Sequence, residues 1–291
     1  MDYEQIRKPA WIKTNLKDSE TAKGVRQALE GLSLNTICVE GRCPNIGTCF
    51  NHGTATFLIM GSICTRHCLY CNVQSGKPMP LDETEPQRVA EAVKRLRLKY
   101  VVLTSVTRDD LEDGGSAFFR QVVEEVKKVN PNTKVEALVP DFKKNEEYWK
   151  AFITPQLDVF AHNVEVVRPL FPKLRPAGDL DVSLSMLKYF KSKGFLTKTG
   201  FMVGVGESME DIVNMLEELL NTGVDIVTIG QYLQPSKKHW PVHKYYTPEE
   251  FKQLSEIGQS LGIPAVVSGP MVRSSYLADQ YFSQLSEPHN H

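Results

Sequence analysis

The sequence lacks the features that would place the chain in a membrane, a secretory pathway or a nucleic-acid complex. Its 34 Lys and Arg residues are balanced by 35 Asp and Glu residues, so a formal net charge of −1 provides no basic excess for binding nucleic acid. No apolar run approaches the roughly 18 residues that a membrane-spanning helix needs. The first eight residues, MDYEQIRK, lack the apolar core of a signal peptide. We therefore expect a cytoplasmic protein whose partners include neither nucleic acid nor a membrane.

Cysteine is missing from most of the chain, because all six cysteines lie between residues 38 and 71. A disulfide framework spreads its thiols so that they join distant loops, and thiols stay reduced in the cytoplasm. Six thiols this close together are therefore expected to form two sets of metal ligands side by side.

The second set follows an apolar segment at the spacing C-x3-C-x2-C and consists of Cys64, Cys68 and Cys71. Four-iron clusters normally take four cysteine ligands. A triple with no fourth cysteine close behind it predicts a cluster with one open iron that binds a small chelating molecule. The alternative is a structural zinc site with His52 or His67 as fourth ligand, although such sites usually use pairs of thiols separated by a long gap.

The first set has the spacing C-x4-C-x5-C and consists of Cys38, Cys43 and Cys49. Turn-forming Gly, Pro and Asn residues lie between these cysteines, so the segment can coil around a metal centre. A fourth thiol is again missing. We predict a second cluster with a labile fourth ligand; a disulfide or a zinc site remains an alternative.

From residue 56 onwards the sequence alternates between strand patterns and helix patterns. Short, continuously apolar segments predict strands at residues 56–60, 100–104, 134–139, 157–161, 198–203, 226–229 and 264–267. Between them lie apolar residues at helical spacing, a capping box at Thr84–Gln87, and helix starts at Ser208 and Thr247. This alternation is typical of either an open doubly wound sheet or a (β/α) barrel.

Polar residues distinguish between these two folds. Nearly every predicted strand is followed at once by groups suited to binding, such as residues 105–110, 140–141, 162–165 and 204–207. In a barrel all of these positions meet at the rim formed by the carboxyl ends of the strands, whereas in an open sheet only the switch point gathers ligands. The alternative for Arg108-Asp109-Asp110 is an ion-pair cluster without a ligand.

We therefore predict an α/β fold with a partial (β/α)6 barrel of the TIM type. The barrel is expected to span residues 56–262. An N-terminal extension, residues 1–55, carries the first cysteine set, and a short C-terminal extension covers residues 263–291.

The spacing of Cys64, Cys68 and Cys71 resembles the cluster motif of the radical S-adenosylmethionine (SAM) enzymes. Almost the whole chain is similar to the lipoyl synthases. Four motifs carry this second resemblance: the set Cys38, Cys43 and Cys49; residues 101–115 (VVLTSVTRDDLEDGG); residues 228–236 (TIGQYLQPS); and residues 272–276 (VRSSY). Two positions depart from the family's usual pattern, because Ala161 replaces an Asn and Phe50 replaces a frequent Trp; neither is a proposed ligand.

The resemblance implies two [4Fe–4S] clusters and SAM as cofactors. One cluster, on Cys64, Cys68 and Cys71, would bind and cleave SAM. The auxiliary cluster would be held by Cys38, Cys43, Cys49 and, as an unusual oxygen ligand, Ser275. The implied catalytic residues are Cys64, Cys68, Cys71 and Ser275. The expected SAM contacts are Asn163 and Glu165 for the ribose or amino group, Arg175 as a carboxylate partner, and Gly204 and Gly206 for close backbone approach.

The implied reaction inserts two sulfur atoms, at C6 and C8, into an octanoyl group in amide linkage to a lysine. The substrate would be a lipoyl carrier domain, either of an E2 subunit or of the glycine-cleavage H protein. The auxiliary cluster would supply the sulfur, and a deoxyadenosyl radical would abstract the hydrogen atoms. Further expected partners are an electron donor such as flavodoxin or ferredoxin and an iron–sulfur carrier that rebuilds the cluster.

Three other functions remain as alternatives. A zinc-dependent barrel hydrolase would contain zinc and would not cleave SAM. An iron–sulfur electron carrier would have a redox-active cluster but would release no 5′-deoxyadenosine. Biotin synthase also inserts sulfur, but the N-terminal cysteine set argues against that family.

Overall fold

A computed structural model describes residues 7–12, 19–52, 55–276 and 278. In this part of the chain the helices are α1 Glu20–Gly31, α2 Ile37–Glu40, α3 Ile46–Asn51, α4 Glu85–Arg95, α5 Ser116–Val129, α6 Glu146–Phe152, α7 Phe171–Leu174, α8 Leu180–Ser192, α9 Met209–Leu220 and α10 Pro248–Leu261. The strands are β1 Asn35–Thr36, β2 Thr56–Ile59, β3 Ile63–Cys64, β4 Gln74–Ser75, β5 Tyr100–Ser105, β6 Lys134–Leu138, β7 Val159–Ala161, β8 Leu196–Val203, β9 Ile226–Gln231 and β10 Ala265–Gly269.

The main sheet has the strand order β1-β2-β5-β6-β7-β8-β9-β10. The seven strands from β2 to β10 in this order are all parallel to their neighbours, and they follow each other in the order of the chain. The short β1 pairs with β2 in the antiparallel direction and forms one edge of the sheet. Consecutive parallel strands joined by helices form the predicted partial barrel, and every strand that the sequence predicted is present.

Two of the predicted helix starts follow from local sequence signals, and a third does not. Ser208 and Thr247 each form a complete capping box, with Asp211 and Glu250 respectively. The capping box predicted at Thr84 is wrong. The Thr84 hydroxyl instead donates to the Asp82 carboxylate over 2.6 Å and makes no cap bond to α4.

The N-terminal segment packs onto the barrel and shares its hydrophobic core. Ala22, Val25 and Leu29 of α1 are buried together with the strand residues of β2. Phe50 of α3 is fully buried in the same core, which accounts for an aromatic residue at that position. The three-part division of the chain remains a prediction, and residues 1–6, 13–18, 53–54, 277 and 279–291 of its terminal parts lie outside the described residues.

The interior of the barrel contains a buried ion pair between β6 and β8. The Lys198 ammonium lies 2.9 Å from Oε2 of Glu136, and the two side chains are 1% and 0% exposed. The Tyr100 hydroxyl donates to the same carboxylate, so the charge is paired and hydrogen-bonded. Within the described residues, every helix is too short or too polar to cross a bilayer.

Candidate active site

A cavity of about 310 Å³ lies at the carboxyl ends of the barrel strands. Its lining includes the second cysteine set and the polar residues that follow β5 and β7: Cys64, Cys68, Cys71, Ser105, Thr107, Asn163, Glu165 and Arg175. This is the rim at which active sites of barrel enzymes are built. The structure therefore brings the predicted SAM contacts Asn163, Glu165 and Arg175 to the same cavity as the three thiols.

Arg66 holds the cysteine loop on this rim. Its guanidinium forms paired hydrogen bonds, 2.6 to 2.8 Å long, with the carboxylates of Asp109 and Asp141. Burial alone would lower the pKa of Arg66, but these two carboxylates raise it above its usual value. Bidentate pairs of this kind fix geometry as well as charge. The alternative predicted for residues 108–110 was an ion-pair cluster. It is observed in part, because Asp109 pairs with Arg66 and Arg108 pairs with Asp110.

The loop after β9 covers the other side of the cysteine loop. The His239 ring Nε2 lies 3.1 Å from the carbonyl oxygen of Cys71, and the backbone N–H of Trp240 donates to Leu69. The indole N–H of Trp240 donates to Val205. These contacts link the loop that follows the motif at residues 228–236 to the cysteine loop, a connection that the sequence does not reveal.

The electrostatics of the cavity are set by burial. Burial raises the pKa of Glu165, although the Arg175 guanidinium partly counteracts it. Burial likewise raises the pKa of the Cys71 thiol to about 12. Because iron binds thiolate, cluster formation must supply the free energy that deprotonates such a thiol.

Two observations test whether this cavity suits a polar cofactor. Three thiols share its wall, which is the donor set of a four-iron cluster with one open iron. The Ser105 hydroxyl, at the end of β5, is buried at the cavity without a hydrogen-bond partner among the described residues. Buried hydroxyls are normally paired, so a polar group in the cavity would complete it. The donors therefore fit a cluster with bound SAM.

The glycines predicted to approach SAM do not line this cavity. A Cβ on Gly204 would lie 2.4 Å from the carbonyl oxygen of Lys244, and one on Gly206 would lie 3.3 Å from the His243 ring. The close approach at these positions is thus made by the protein's own loop after β9. A SAM contact at Gly204 or Gly206 therefore stays a prediction.

A second cavity, of about 490 Å³, contains the cysteine set nearer the N-terminus, Cys38, Cys43 and Cys49. Cys38, Cys43, Cys49 and Ser275 all line it, together with Arg273 and Tyr276. Burial raises the pKa of the Cys38 thiol to about 11. Three thiols and one hydroxyl around one space are a donor set that fits a four-iron cluster with an oxygen ligand.

The two cavities lie along the same strands. Thr56 and Val102 are paired across β2 and β5 and line the second cavity, whereas Leu58 and Thr104 are paired two residues further on and line the first. Two residues correspond to about 7 Å along a strand. Helix α2 also contributes to both, since Cys38 lines one cavity and Ile37 the other.

Sequence reasoning missed several residues of this site. Arg66 lies inside the cysteine spacing, and its partners Asp109 and Asp141 follow neighbouring parallel strands, so topology alone could have suggested the pairing. Arg273 and Ser274 gave no such signal. Across the described residues no three His, Cys, Asp or Glu side chains converge on a single metal ion; the cysteines line cavity walls instead.

Comparisons with known proteins agree with this arrangement. Residues 58–219 match the model of the radical SAM superfamily. The fold resembles that of Streptococcus suis SuiB, crystallised with S-adenosylmethionine, at a TM-score of 0.57 and 11% identity over 77% of this chain and 53% of that one. It also resembles methylornithine synthase at a TM-score of 0.54 and 15% identity, over 89% and 81%. These two similarities concern the fold alone.

Sequence relatives are much closer. A lipoyl synthase from Caldicellulosiruptor saccharolyticus is 48% identical over 278 residues, which cover 95% of this chain and 98% of the relative. A lipoyl synthase from Caldanaerobacter subterraneus is 50% identical over 276 residues, covering 94% and 96%. The chain therefore belongs to the lipoyl synthase family within the radical SAM superfamily.

Proposed function

We propose that this protein forms the dihydrolipoyl group by inserting two sulfur atoms into an octanoyl-lysine of a carrier protein. The observation that carries the proposal is the placement of the two cysteine sets around two cavities of one barrel, with Ser275 at the second. The high identity to lipoyl synthases over nearly the whole chain supports the same reaction.

The cofactors of the proposed reaction are two [4Fe–4S] clusters and SAM. When bound, they supply the radical that removes hydrogen from an unactivated carbon, and the sulfur that replaces it. In the first cavity Cys64, Cys68 and Cys71 hold one cluster. In the second, Cys38, Cys43, Cys49 and Ser275 hold the auxiliary cluster.

The protein's own contribution is to bind, orient and exclude water. Asn163 and Glu165 orient the ribose or amino group of SAM, and Arg175 pairs with its carboxylate. Ser275 gives the auxiliary cluster an oxygen ligand, which binds iron in a sulfur-rich cluster more weakly than a thiolate does. Thr56 and Leu58 lie two residues apart on β2 and line the second and the first cavity respectively, so an alkyl chain that visits both cavities would pass along this strand.

The substrates of this proposal are octanoylated lipoyl carrier domains of E2 subunits and of the glycine-cleavage H protein. A reduced flavodoxin or ferredoxin supplies electrons, and an iron–sulfur carrier rebuilds the auxiliary cluster. All six cysteines are free thiols, a state that suits a reducing compartment, and we place the enzyme in the cytoplasm.

An anaerobic assay with paired variants tests the proposal. Reconstituted protein receives SAM, a reductant and an octanoyl-lysyl peptide, and the products are identified by mass. Cys43→Ala should cleave SAM but add no sulfur, whereas Cys68→Ala should do neither. If Cys43→Ala still yields the dithiol product, this cysteine set does not hold the sulfur donor.

A further inference from the structure

The segment that carries Ser275 runs inside the barrel, against two glycines. A Cβ on Gly230 of β9 would lie 2.2 Å from the carbonyl oxygen of Val272, far closer than atoms in contact allow. A Cβ on Gly200 of β8 would collide with the Thr228 hydroxyl of β9 and would also lie 3.0 Å from the Ser274 hydroxyl. Both strands therefore leave space for this segment, since glycine permits a close backbone approach.

Ser274 connects this segment to the first cavity. Its hydroxyl donates to the Asn163 side-chain oxygen over 2.8 Å, across 111 residues of sequence. Asn163 lines the cavity with Cys64, Cys68 and Cys71, whereas Ser275, the next residue after Ser274, lines the cavity with Cys38. One hydrogen bond thus bridges the two sites.

Asn163 is held from its other sides as well. The Arg175 guanidinium donates to its backbone oxygen over 2.9 Å. Burial raises the pKa of the Glu165 carboxyl, and first the Arg175 charge and then the neighbouring Asn163 side chain lower it. Because the amide oxygen accepts from Ser274, the amide nitrogen is the atom that faces Glu165.

We propose that Ser274 is a positioning residue that couples SAM binding in the first cavity to the placement of Ser275 in the second. The proposal rests on the proposed function for the identity of the ligand. SAM that engages Asn163 and Glu165 fixes the amide, and the amide fixes Ser274 and the backbone of its neighbour Ser275. Coupling between two sites is reciprocal, so an ordered segment also favours SAM binding.

A double-mutant cycle measures the coupling directly. SAM affinity is determined by equilibrium binding to unreduced protein with both clusters, for the unsubstituted chain, Ser274→Ala, Asn163→Ala and the double variant. One hydrogen bond contributes on the order of 1 kcal/mol, so Ser274→Ala should weaken SAM binding about 5-fold. In the Asn163→Ala background the same substitution should change the affinity less than about 2-fold.

The matched control is Ser268→Ala. The Ser268 hydroxyl, on β10, has no hydrogen-bond partner among the described residues and lines neither cavity. Its removal should leave SAM affinity unchanged. Urea unfolding of each variant checks that the fold is retained, and Asn163→Ala tests the bond from its other end.

Hydrogen exchange provides a second reading that does not depend on activity. SAM should slow the exchange of the backbone amides of residues 272–276 in the unsubstituted protein and in Ser268→Ala, but not in Ser274→Ala. Equal weakening of SAM binding in both backgrounds, or no weakening, would overturn the coupling. If the unsubstituted protein binds no SAM, both proposals fail; if it binds SAM normally but forms no dithiol, only the proposed function fails.

Discussion

Arg66 and Asp141 are 75 residues apart in the sequence, yet Nη1 of Arg66 lies 2.6 Å from Oδ2 of Asp141. Their side chains are 6% and 1% exposed. Arg66 sits between two cysteines of the first cavity, and Asp141 follows β6. The ion pair therefore fastens the loop that carries the cysteine motif to the end of strand β6.

Breaking this pair should impair the first cavity and the fold. Asp141→Asn removes one of the two carboxylates around the buried guanidinium and leaves Asp109 as its charged partner, so we expect a cost of roughly 1.5–3 kcal/mol. We expect a lower urea midpoint and lower iron content in the reconstituted protein. Glu91→Gln, which breaks the exposed pair with Arg95, is the control and should leave the urea midpoint almost unchanged. Equal effects of the two substitutions would contradict the role given to Arg66.

Gly230→Ala should affect the second cavity more than the first. A methyl group 2.2 Å from the Val272 carbonyl would displace the segment that carries Ser275. We expect altered spectra of the auxiliary cluster and loss of dithiol formation, with reductive SAM cleavage retained at least in part. Gly24→Ala is the control, because nothing lies within 4 Å of that position in α1, and it should stabilise the helix by about 1 kcal/mol. Normal dithiol formation by Gly230→Ala would be inconsistent with the close packing.

His162 should make the fold sensitive to acid. The ring is buried, with Nδ1 2.8 Å from the Val139 carbonyl and Nε2 3.0 Å from the Ser183 hydroxyl. Burial, and then the Arg175 charge, lower its pKa from 6.5 to about 4. Between these values the unfolded chain binds more protons than the native one, so stability falls as pH decreases from about 6.5 towards 4. Multiplying the pKa shift by the free energy that corresponds to one pKa unit gives a full loss of about 3 kcal/mol in the free energy of unfolding.

Urea midpoints at pH 7 and pH 5 measure this dependence. His162→Gln should reduce the difference between the two midpoints, whereas replacement of the exposed His67 by Gln should not. A difference that is unchanged in His162→Gln would assign the acid sensitivity to other groups.

The buried pair of Lys198 and Glu136 should show strong coupling in stability. Lys198→Met leaves a carboxylate that is 0% exposed without its cation, at a cost of roughly 3–5 kcal/mol. The double variant Lys198→Met/Glu136→Gln should lose clearly less free energy of unfolding than the two single variants lose together, because no unpaired charge remains. The exposed pair of Lys252 and Glu256 serves as control, with less than about 0.5 kcal/mol of coupling. Additive effects at Lys198 and Glu136 would show that the pair is not coupled.

Sequence alone was sufficient for the strands of the barrel and for helix starts such as Ser208 and Thr247. Apolar runs such as residues 226–229 and caps such as Ser208 act locally, so their structural effect can be read from neighbouring residues. Thr84 shows where this fails, because its backbone is already in the αR region instead of the extended conformation of a cap residue, and its hydroxyl donates to the nearby Asp82 carboxylate. The cysteine spacing was also informative, because it too concerns residues only a few positions apart.

The sequence by itself determined the family, the two cysteine sets and the rim at which ligands gather, because each depends on short spacings or on the parallel order of strands. The family resemblance had implied that Ser275 joins Cys38, Cys43 and Cys49, and the tertiary structure brings these four residues to one cavity. Only the tertiary structure decided that Ser274 bonds Asn163. It also placed the Lys244 carbonyl of the loop after β9 against Gly204, where the SAM contact expected from the sequence stays a prediction. Contacts between residues more than 100 positions apart depend on how the whole barrel closes, and no local pattern encodes that geometry.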